Sequence, residues 1–276
     1  MPYLIGSIIC NILFGQIYKL ASAHGYDVDW VSAVSFMSGS LLLLFVWVFQ
    51  HRAIGRPTMG LGVAFGATAG IAQLAYFRSL RYGRVSVSWT IVQLAMLIPV
   101  LAGVLFWAER PAWWQGVAIA AAVGAVALLG DVELHQVQRP LTWAGWLGLS
   151  YVLSGLAQIS IKAQADLRPG GSEQGFLLVG YAVMTLVTVP LLMRRRRPDR
   201  REAGLGVVRG VALLCMHFLL LKAAAVLPAY LVFPVYSTAN VASNAALAWL
   251  IWGERLQSRT LIGILVALAA MVALNL

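Results

Sequence analysis

Long apolar runs recur along the chain and are separated by short polar loops. Many of these runs reach about 20 residues, the length at which a helix crosses a hydrocarbon core of about 30 Å. The apolar residues are continuous rather than alternating, which disfavours the strands of a membrane barrel. The pattern predicts an all-α integral membrane protein with ten transmembrane helices, near residues 3–20, 31–50, 59–80, 84–110, 112–130, 143–162, 175–193, 204–222, 229–255 and 261–276.

Two of the predicted helices share a pattern. Arg84–Arg110 and Ala229–Arg255 both carry polar side chains in their first half and end on Trp-Ala-Glu-Arg or Trp-Gly-Glu-Arg. One further apolar segment follows each of them. The similarity predicts two related five-helix repeats, 1–130 and 143–276, joined by a polar connector at 131–142. Because five is an odd number, the second repeat would be inverted relative to the first, an arrangement that places a shared cavity near the bilayer midplane.

The composition agrees with a membrane protein. Hydrophobic residues make up 61% of the chain and charged residues 11%, against about 25% charged in soluble domains. The net charge of +10 comes largely from arginines in short loops, where they orient the chain and contact lipid phosphates, so we expect no nucleic-acid partner. Cys10 and Cys215 are interpreted as small buried hydrophobic residues. The first segment lacks a basic leader and a cleavage site, which favours a retained helix.

Two predicted helices begin with regularly spaced glycines. Gly62, Gly66 and Gly70 line one face of the third segment, and Gly206 and Gly210 form a similar pair in the eighth. A four-residue spacing of glycines allows a neighbouring helix to approach closely. We expect both faces to be sites of tight helix packing.

The whole chain resembles the drug/metabolite transporter superfamily, and the EamA-like permeases within it. The features that carry the resemblance are the ten segments in two halves, the lysines near the ends of the first and sixth segments, and the Glu-then-glycine-rich last hairpin of each half. The resemblance implies an exporter in the bacterial inner membrane whose fifth and tenth helices stand apart from the transport pathway. It also implies cytoplasmic termini, whereas the loop arginines favour an outward N-terminus. The sequence leaves orientation and direction of transport open.

The ninth segment carries a polar stripe. Tyr236, Asn240, Ser243 and Asn244 fall on one helical face. In lipid, each asparagine amide would lose hydrogen bonds worth about 1–3 kcal/mol or more. The stripe is therefore expected to face protein or water, either as a lining of the pathway or as hydrogen bonds that hold helices together.

Three other segments carry related stripes, which together predict a hydrophilic central pathway. The candidate substrate-binding residues outside the ninth segment are Asn11, Tyr18, Lys19, Trp89, Gln93, Tyr151, Gln158 and Lys162. Lys19 and Lys162 lie near helix ends, where they either attract a carboxylate or phosphate or extend their ammonium groups to the interface. Arg78 and Lys222 carry the same two interpretations.

The remaining titratable groups are few. His217 lies well inside the eighth segment and is either a proton site or a packing residue. Glu109 and Glu254 sit at helix ends beside Arg110 and Arg255, which favours structural ion pairs or turn anchors. Because no Asp or Glu falls in the middle of a segment, facilitated movement or coupling through His217 is favoured over carboxylate-based antiport.

These features favour a secondary transporter, expected to be an exporter, that moves a small polar metabolite by alternating access through a central cavity. An amino acid or another anion-bearing compound fits the cations near the helix ends. A flippase for a lipid-linked headgroup and a non-transporting membrane scaffold are the alternatives. No catalytic or metal-binding motif occurs in the sequence, so we expect no enzyme activity, no metal and no cofactor. The expected partners are a small-molecule substrate and membrane lipids. The sequence is also compatible with a homodimer.

Overall fold

The computed structural model describes residues 1–50, 53–82, 85–129, 139–167, 173–193, 199–253 and 258–274, and no strand occurs among them. The helices are α1 (Pro2–Ala23), α2 (Val28–Gln50), α3 (Arg56–Ser79), α4 (Val85–Gln93), α5 (Leu97–Phe106), α6 (Trp113–Leu129), α7 (Pro140–Leu167), α8 (Glu173–Met193), α9 (Arg200–Val226), α10 (Ala229–Trp252) and α11 (Ser258–Leu274). Seven of the described helical segments are long and apolar enough to cross a membrane. The prediction of an all-α multi-pass membrane protein is confirmed.

The fourth predicted segment is not one continuous helix. It consists of α4, a 3-10 turn at Leu94–Met96 and α5, which ends at Phe106 rather than at Arg110. Pro99 explains the break, because a proline has no N–H to donate to the carbonyl group of Ala95 and its ring crowds that carbonyl. The 3-10 turn accommodates the missing hydrogen bond, and the helical segment continues after it as α5.

The helices form two compact units, each built from two stretches of the chain. Unit 1 contains Met1–Ile71 and Ser160–Val226. Within it, α9 packs along α1 and α2, and α2 also packs along α8. A buried link between α1 and α9 is the hydroxyl of Ser7, which donates to the carbonyl oxygen of Met216 at 3.0 Å.

Both predicted glycine faces lie at close helix contacts of unit 1. A Cβ atom on Gly66 would collide with the carbonyl oxygen of Gly180 and lie 2.7 Å from Cβ of Val183, both in α8. A Cβ atom on Gly206 would lie 2.6 Å from Val34 in α2. Real Cβ atoms do not approach this closely, so the expectation of tight packing is confirmed.

Unit 2 contains Ala72–Ile159 and Leu227–Leu276. In this unit α6 packs along α11, and α10 contacts α5, α6 and α11. Small side chains (Ala125, Ala242 and Ala267) form the core shared by α6, α10 and α11 and let these helices approach closely. The start of α7 packs on α4, where the indole of Trp143 donates to the hydroxyl of Ser88 at 3.1 Å.

One sequence interpretation is wrong, and several others are not tested by the described residues. Cys215 is exposed on α9 rather than buried, because it lies on the outer face of that helix. Most of the connector (131–138), the arginine run at 194–197 and the Glu254–Arg255 pair lie outside the described residues. The inverted repeats, with boundaries at 130 and 143, stay a prediction; each compact unit takes helices from both of them.

Candidate functional site

The predicted site residues divide between the two units. Asn11, Tyr18, Lys19, Lys162 and His217 belong to unit 1. Unit 2 holds the other seven: Trp89, Gln93, Tyr151, Gln158, Tyr236, Asn240 and Asn244. Each group is described within its own unit.

The polar stripe of α10 is largely buried. Tyr236 and Asn240 are 9% and 1% exposed, so the stripe does not face lipid. The amide nitrogen of Asn244 donates to the backbone oxygen of Asn240 at 2.9 Å and to its side-chain oxygen at 2.6 Å. Both hydrogen bonds stay within α10. They fix the orientation of two amides but do not themselves join α10 to another helix.

Two predicted glutamines in unit 2 carry buried polar atoms that lack a hydrogen-bond partner. These atoms are the amide nitrogen of Gln93 in α4 and the amide oxygen of Gln158 in α7. An unsatisfied buried amide group costs about 1–3 kcal/mol, so it needs an explanation such as a bound ligand or water. Trp89, on the same helix as Gln93, packs edge-on against Tyr76 with ring centroids 5.8 Å apart, and Tyr151 is half-buried on α7.

Two lysines of unit 1 near helix ends, Lys162 and Lys222, have carboxylate partners. The ammonium group of Lys162 lies 3.1 Å from Asp166, one turn further along α7, and donates to the carbonyl oxygen of Ala224 at 3.2 Å. Lys222 lies 2.7 Å from Glu173 at the start of α8. Lys162 is only 6% exposed, so its ammonium group is held inside the unit rather than extended to solvent. Its role in substrate binding stays a prediction.

His217 lies among aromatic side chains of unit 1. Its Nδ1 atom is 2.9 Å from the hydroxyl of Tyr181 in α8, and its ring packs edge-on against Phe65 in α3. Elsewhere in unit 1, Asn11 is 3% exposed in α1 and Lys19 is half-buried near the end of the same helix. A proton-carrying role for His217 stays a prediction.

Sequence reasoning missed one buried cation, Arg209. Its side chain is 2% exposed and lies on α9, seven residues after Glu202. Its guanidinium carbon lies 4.2 Å from the ring centroid of Phe14 and 5.6 Å from that of Tyr18, both in α1. A terminal nitrogen donates to the hydroxyl of Ser32 in α2. The available signal was an arginine inside an otherwise apolar stretch.

Glu109 is a helix anchor. Its carboxylate accepts hydrogen bonds from the backbone N–H groups of Ala229 at 2.8 Å and Tyr230 at 3.3 Å, at the start of α10. The N-terminus of a helix presents unpaired N–H groups and a partial positive charge, both of which favour a carboxylate. The interpretation of Glu109 as a turn anchor is confirmed.

The comparisons with known proteins bear on the first half of the chain and on the fold. The family model that matches residues 2–130 is that of the EamA-like transporter family. The match supports the resemblance to the drug/metabolite transporter superfamily, and the long apolar helices indicate a multi-pass membrane protein.

A solved crystal structure of a protein is similar in fold to this chain over nearly its whole length. It matches with a TM-score of 0.78, covers 99% of this chain and 96% of its own, and is 12% identical in sequence. At that identity the similarity concerns the fold alone. A search of curated proteins finds no match.

Proposed function

We propose that this chain is a secondary transporter that exports a small polar metabolite across the bacterial inner membrane by alternating access. The family match supports the transporter class. The two inverted five-helix repeats, 1–130 and 143–276, belong to the same proposal, because alternating access uses such repeats. The substrate class is an amino acid or another anion-bearing compound.

The observation that carries the proposal is the pair of unsatisfied glutamines in unit 2. Gln93 and Gln158 each keep a buried amide atom without a hydrogen-bond partner. In a purely structural helix contact, such atoms would form hydrogen bonds or be replaced by apolar groups. Leaving a buried polar atom without a hydrogen bond is costly in free energy. A polar solute or water that passes these side chains would supply the missing hydrogen bonds.

The polar stripe of α10 supports the same function. Asn240 is buried at 1% exposure, and the hydrogen bonds given above join it to Asn244 of its own helix. Polar side chains inside an apolar helix of a membrane protein are costly and are normally kept for a function.

Counterflow in proteoliposomes tests the proposal. Vesicles holding the purified chain are loaded with a mixture of unlabelled L-amino acids and then given a trace of the same mixture in radiolabelled form. A transporter of this substrate class accumulates label inside the vesicles, because internal substrate exchanges for external label. The control is protein-free vesicles. No accumulation with a folded, monodisperse protein would contradict the proposed substrate class.

Variants separate the pathway from its surroundings in the same assay. Gln93→Leu and Gln158→Leu remove the unsatisfied amides and are expected to lower counterflow by about tenfold or more, since a lost hydrogen bond to a substrate is worth about 1.4 kcal/mol or more. Gln115→Leu is the matched control. Its side-chain oxygen accepts the backbone N–H of Ala112 at 2.9 Å, a local cap outside the stripes. Wild-type rates in all three variants would contradict the assignment of the pathway.

A further inference from the structure

Arg209 lies inside a helix that is long and apolar enough to cross a membrane. It follows the start of α9 by nine residues, which is about 14 Å along a helix at about 1.5 Å per residue. Its side chain is almost completely buried. A charged side chain inside a membrane segment is costly and is normally kept for a function, with a partner that offsets the charge.

The groups that contact the guanidinium group of Arg209 are neutral. The guanidinium group faces the rings of Phe14 and Tyr18 and donates one hydrogen bond to Ser32. Its Nε atom is buried and has no hydrogen-bond partner. Ring faces and a hydroxyl group attract a cation but do not neutralise it.

Two lysines of unit 1, unlike Arg209, form ion pairs with carboxylates. Lys162 pairs with Asp166, and Lys222 pairs with Glu173. Among the residues that the structure describes, no carboxylate forms an ion pair with Arg209. The same fold therefore neutralises two of its cations internally and leaves the most deeply buried one without an anionic partner.

We propose that Arg209 is the anion-binding group of this transporter and that unit 1 binds the carboxylate of its substrate there, with Tyr18 and Ser32 completing the site. This inference rests on the proposed function and specifies the substrate. A guanidinium group holds a carboxylate through two parallel N–H···O bonds, and the unpaired Nε–H lies on an edge suited to that geometry.

The charge of the surroundings selects a monoanion. Glu202 lies two turns before Arg209 on α9, is 9% exposed and accepts the backbone N–H of Asp27 at 3.1 Å. A phosphate dianion would need several cations or N–H donors and would be repelled by that carboxylate. One guanidinium and one hydroxyl match a single carboxylate.

Access to Arg209 passes the aromatic side chains of α1. Phe14 and Tyr18 are half-buried, and both lie against the buried guanidinium group. Rotation of either ring would uncover the guanidinium without breaking the Ser32 hydrogen bond. In the described conformation these two rings cover the guanidinium group.

Thermal unfolding of the purified full-length chain tests the site independently of transport. The probes are L-amino acids and short hydroxy acids, each compared with its carboxamide, which has nearly the same shape but no negative charge. We expect at least one carboxylate to raise the unfolding midpoint while its carboxamide does not, because only a ligand that binds the folded state stabilises it. Arg209→Gln should raise the apparent Kd for that carboxylate about tenfold or more.

Two further variants keep the test decisive. Arg209→Lys keeps the charge but loses the two-pronged geometry, so it should bind the carboxylate more weakly than wild type and more tightly than Arg209→Gln. Arg259→Gln is the control, since Arg259 is an exposed arginine of α11 in unit 2 that donates to the carbonyl oxygen of Ala127 at 3.4 Å, and it should bind as wild type does. If Arg209→Gln does not fold, the lysine variant decides.

The outcomes separate this site from the proposed function. No carboxylate-specific stabilisation of the wild type, or wild-type binding by the Arg209 variants, would overturn the site. Carboxylate-specific binding without counterflow would support the site and contradict transport of these compounds. Counterflow of amino acids that the Arg209 variants leave unchanged would support the transporter and overturn the site.

Discussion

The carboxylate of Glu109 accepts the backbone N–H of Ala229 at 2.8 Å, across 120 positions of the chain. It thereby joins the loop after α5 to the start of α10 inside unit 2. Gly103 makes room for this contact, because a Cβ atom there would lie 2.7 Å from a carboxylate oxygen of Glu109 and 3.1 Å from Cβ of Ala229. The hydrogen bond therefore depends on a glutamate and a glycine that are six residues apart in sequence.

Glu109→Ala should lower the free energy of unfolding by about 1–2 kcal/mol, because it removes the acceptor for two N–H groups at a helix start. Glu109→Gln should lower the free energy of unfolding by less, because its amide oxygen still accepts a hydrogen bond. It lacks only the negative charge that the helix dipole favours. The thermal unfolding midpoint in detergent measures both. Arg110→Ala is the control, because Arg110 is the next residue in the chain and its side chain is exposed. A midpoint for Glu109→Ala equal to that of the control would contradict the anchoring role.

Gly66→Ala should destabilise unit 1 by about 2 kcal/mol or more, because the new methyl group would meet the backbone of α8, which has no side-chain freedom to yield. Gly60→Ala, in the same helix, meets no atom within 4 Å. That control should be neutral or stabilising by up to about 1 kcal/mol, since alanine favours helices over glycine. Equal unfolding midpoints for the two variants would mean that α3 and α8 are not in this close contact.

Gly253→Ala should cost about 1 kcal/mol for backbone reasons alone, because Gly253 has a φ of +65° with no atom within 4 Å of the added methyl group. Gly116→Ala, equally uncrowded but inside α6, should instead stabilise the protein by about 0.5–1 kcal/mol. Ala108, which precedes Glu109 as Gly253 precedes Glu254, has a φ of 51°. Thermal unfolding measures both variants, and we expect the unfolding midpoint to fall for Gly253→Ala and to rise for Gly116→Ala. A change of the same sign in both variants would contradict the left-handed conformation at Gly253.

The Lys222–Glu173 ion pair should contribute on the order of 1 kcal/mol of coupling between α9 and α8. Its atoms lie 2.7 Å apart, and the side chains are 29% and 12% exposed, so water screens the pair only in part. A double-mutant cycle of Lys222→Met and Glu173→Gln in thermal unfolding measures this coupling. Additive effects of the two changes would show that the pair contributes nothing.

Much of the fold could be read from the sequence because lipid imposes a simple rule: a spanning segment satisfies its backbone internally, so helices appear as long apolar runs. The glycine faces at Gly62–Gly70 and Gly206–Gly210 followed from spacing alone. The break at Leu94–Met96 did not, since Pro99 is compatible with either a bend or a local 3-10 turn.

The candidate site was less accessible to sequence reasoning. The stripe containing Asn240 lies on one helix and could be found by periodicity. Arg209 could not be placed, because its partners Tyr18 and Ser32 lie on other helices and are more than 170 residues away in sequence. A separation of 120 positions likewise hides the pairing of Glu109 with Ala229, and only the packed helices bring such residues together.

Accessibility of Asn240→Cys tests the central claim, a polar pathway used by alternating access, most directly. With Cys10 and Cys215 replaced by serine, vesicles of each orientation are treated with a membrane-impermeant thiol reagent. Ala242→Cys is the control, since that position lies on the opposite face of α10 in the alanine core. Labelling of residue 240 from both sides of the membrane, without labelling of residue 242, is the predicted result. Protection of residue 240 from both sides would contradict the pathway and favour a scaffold.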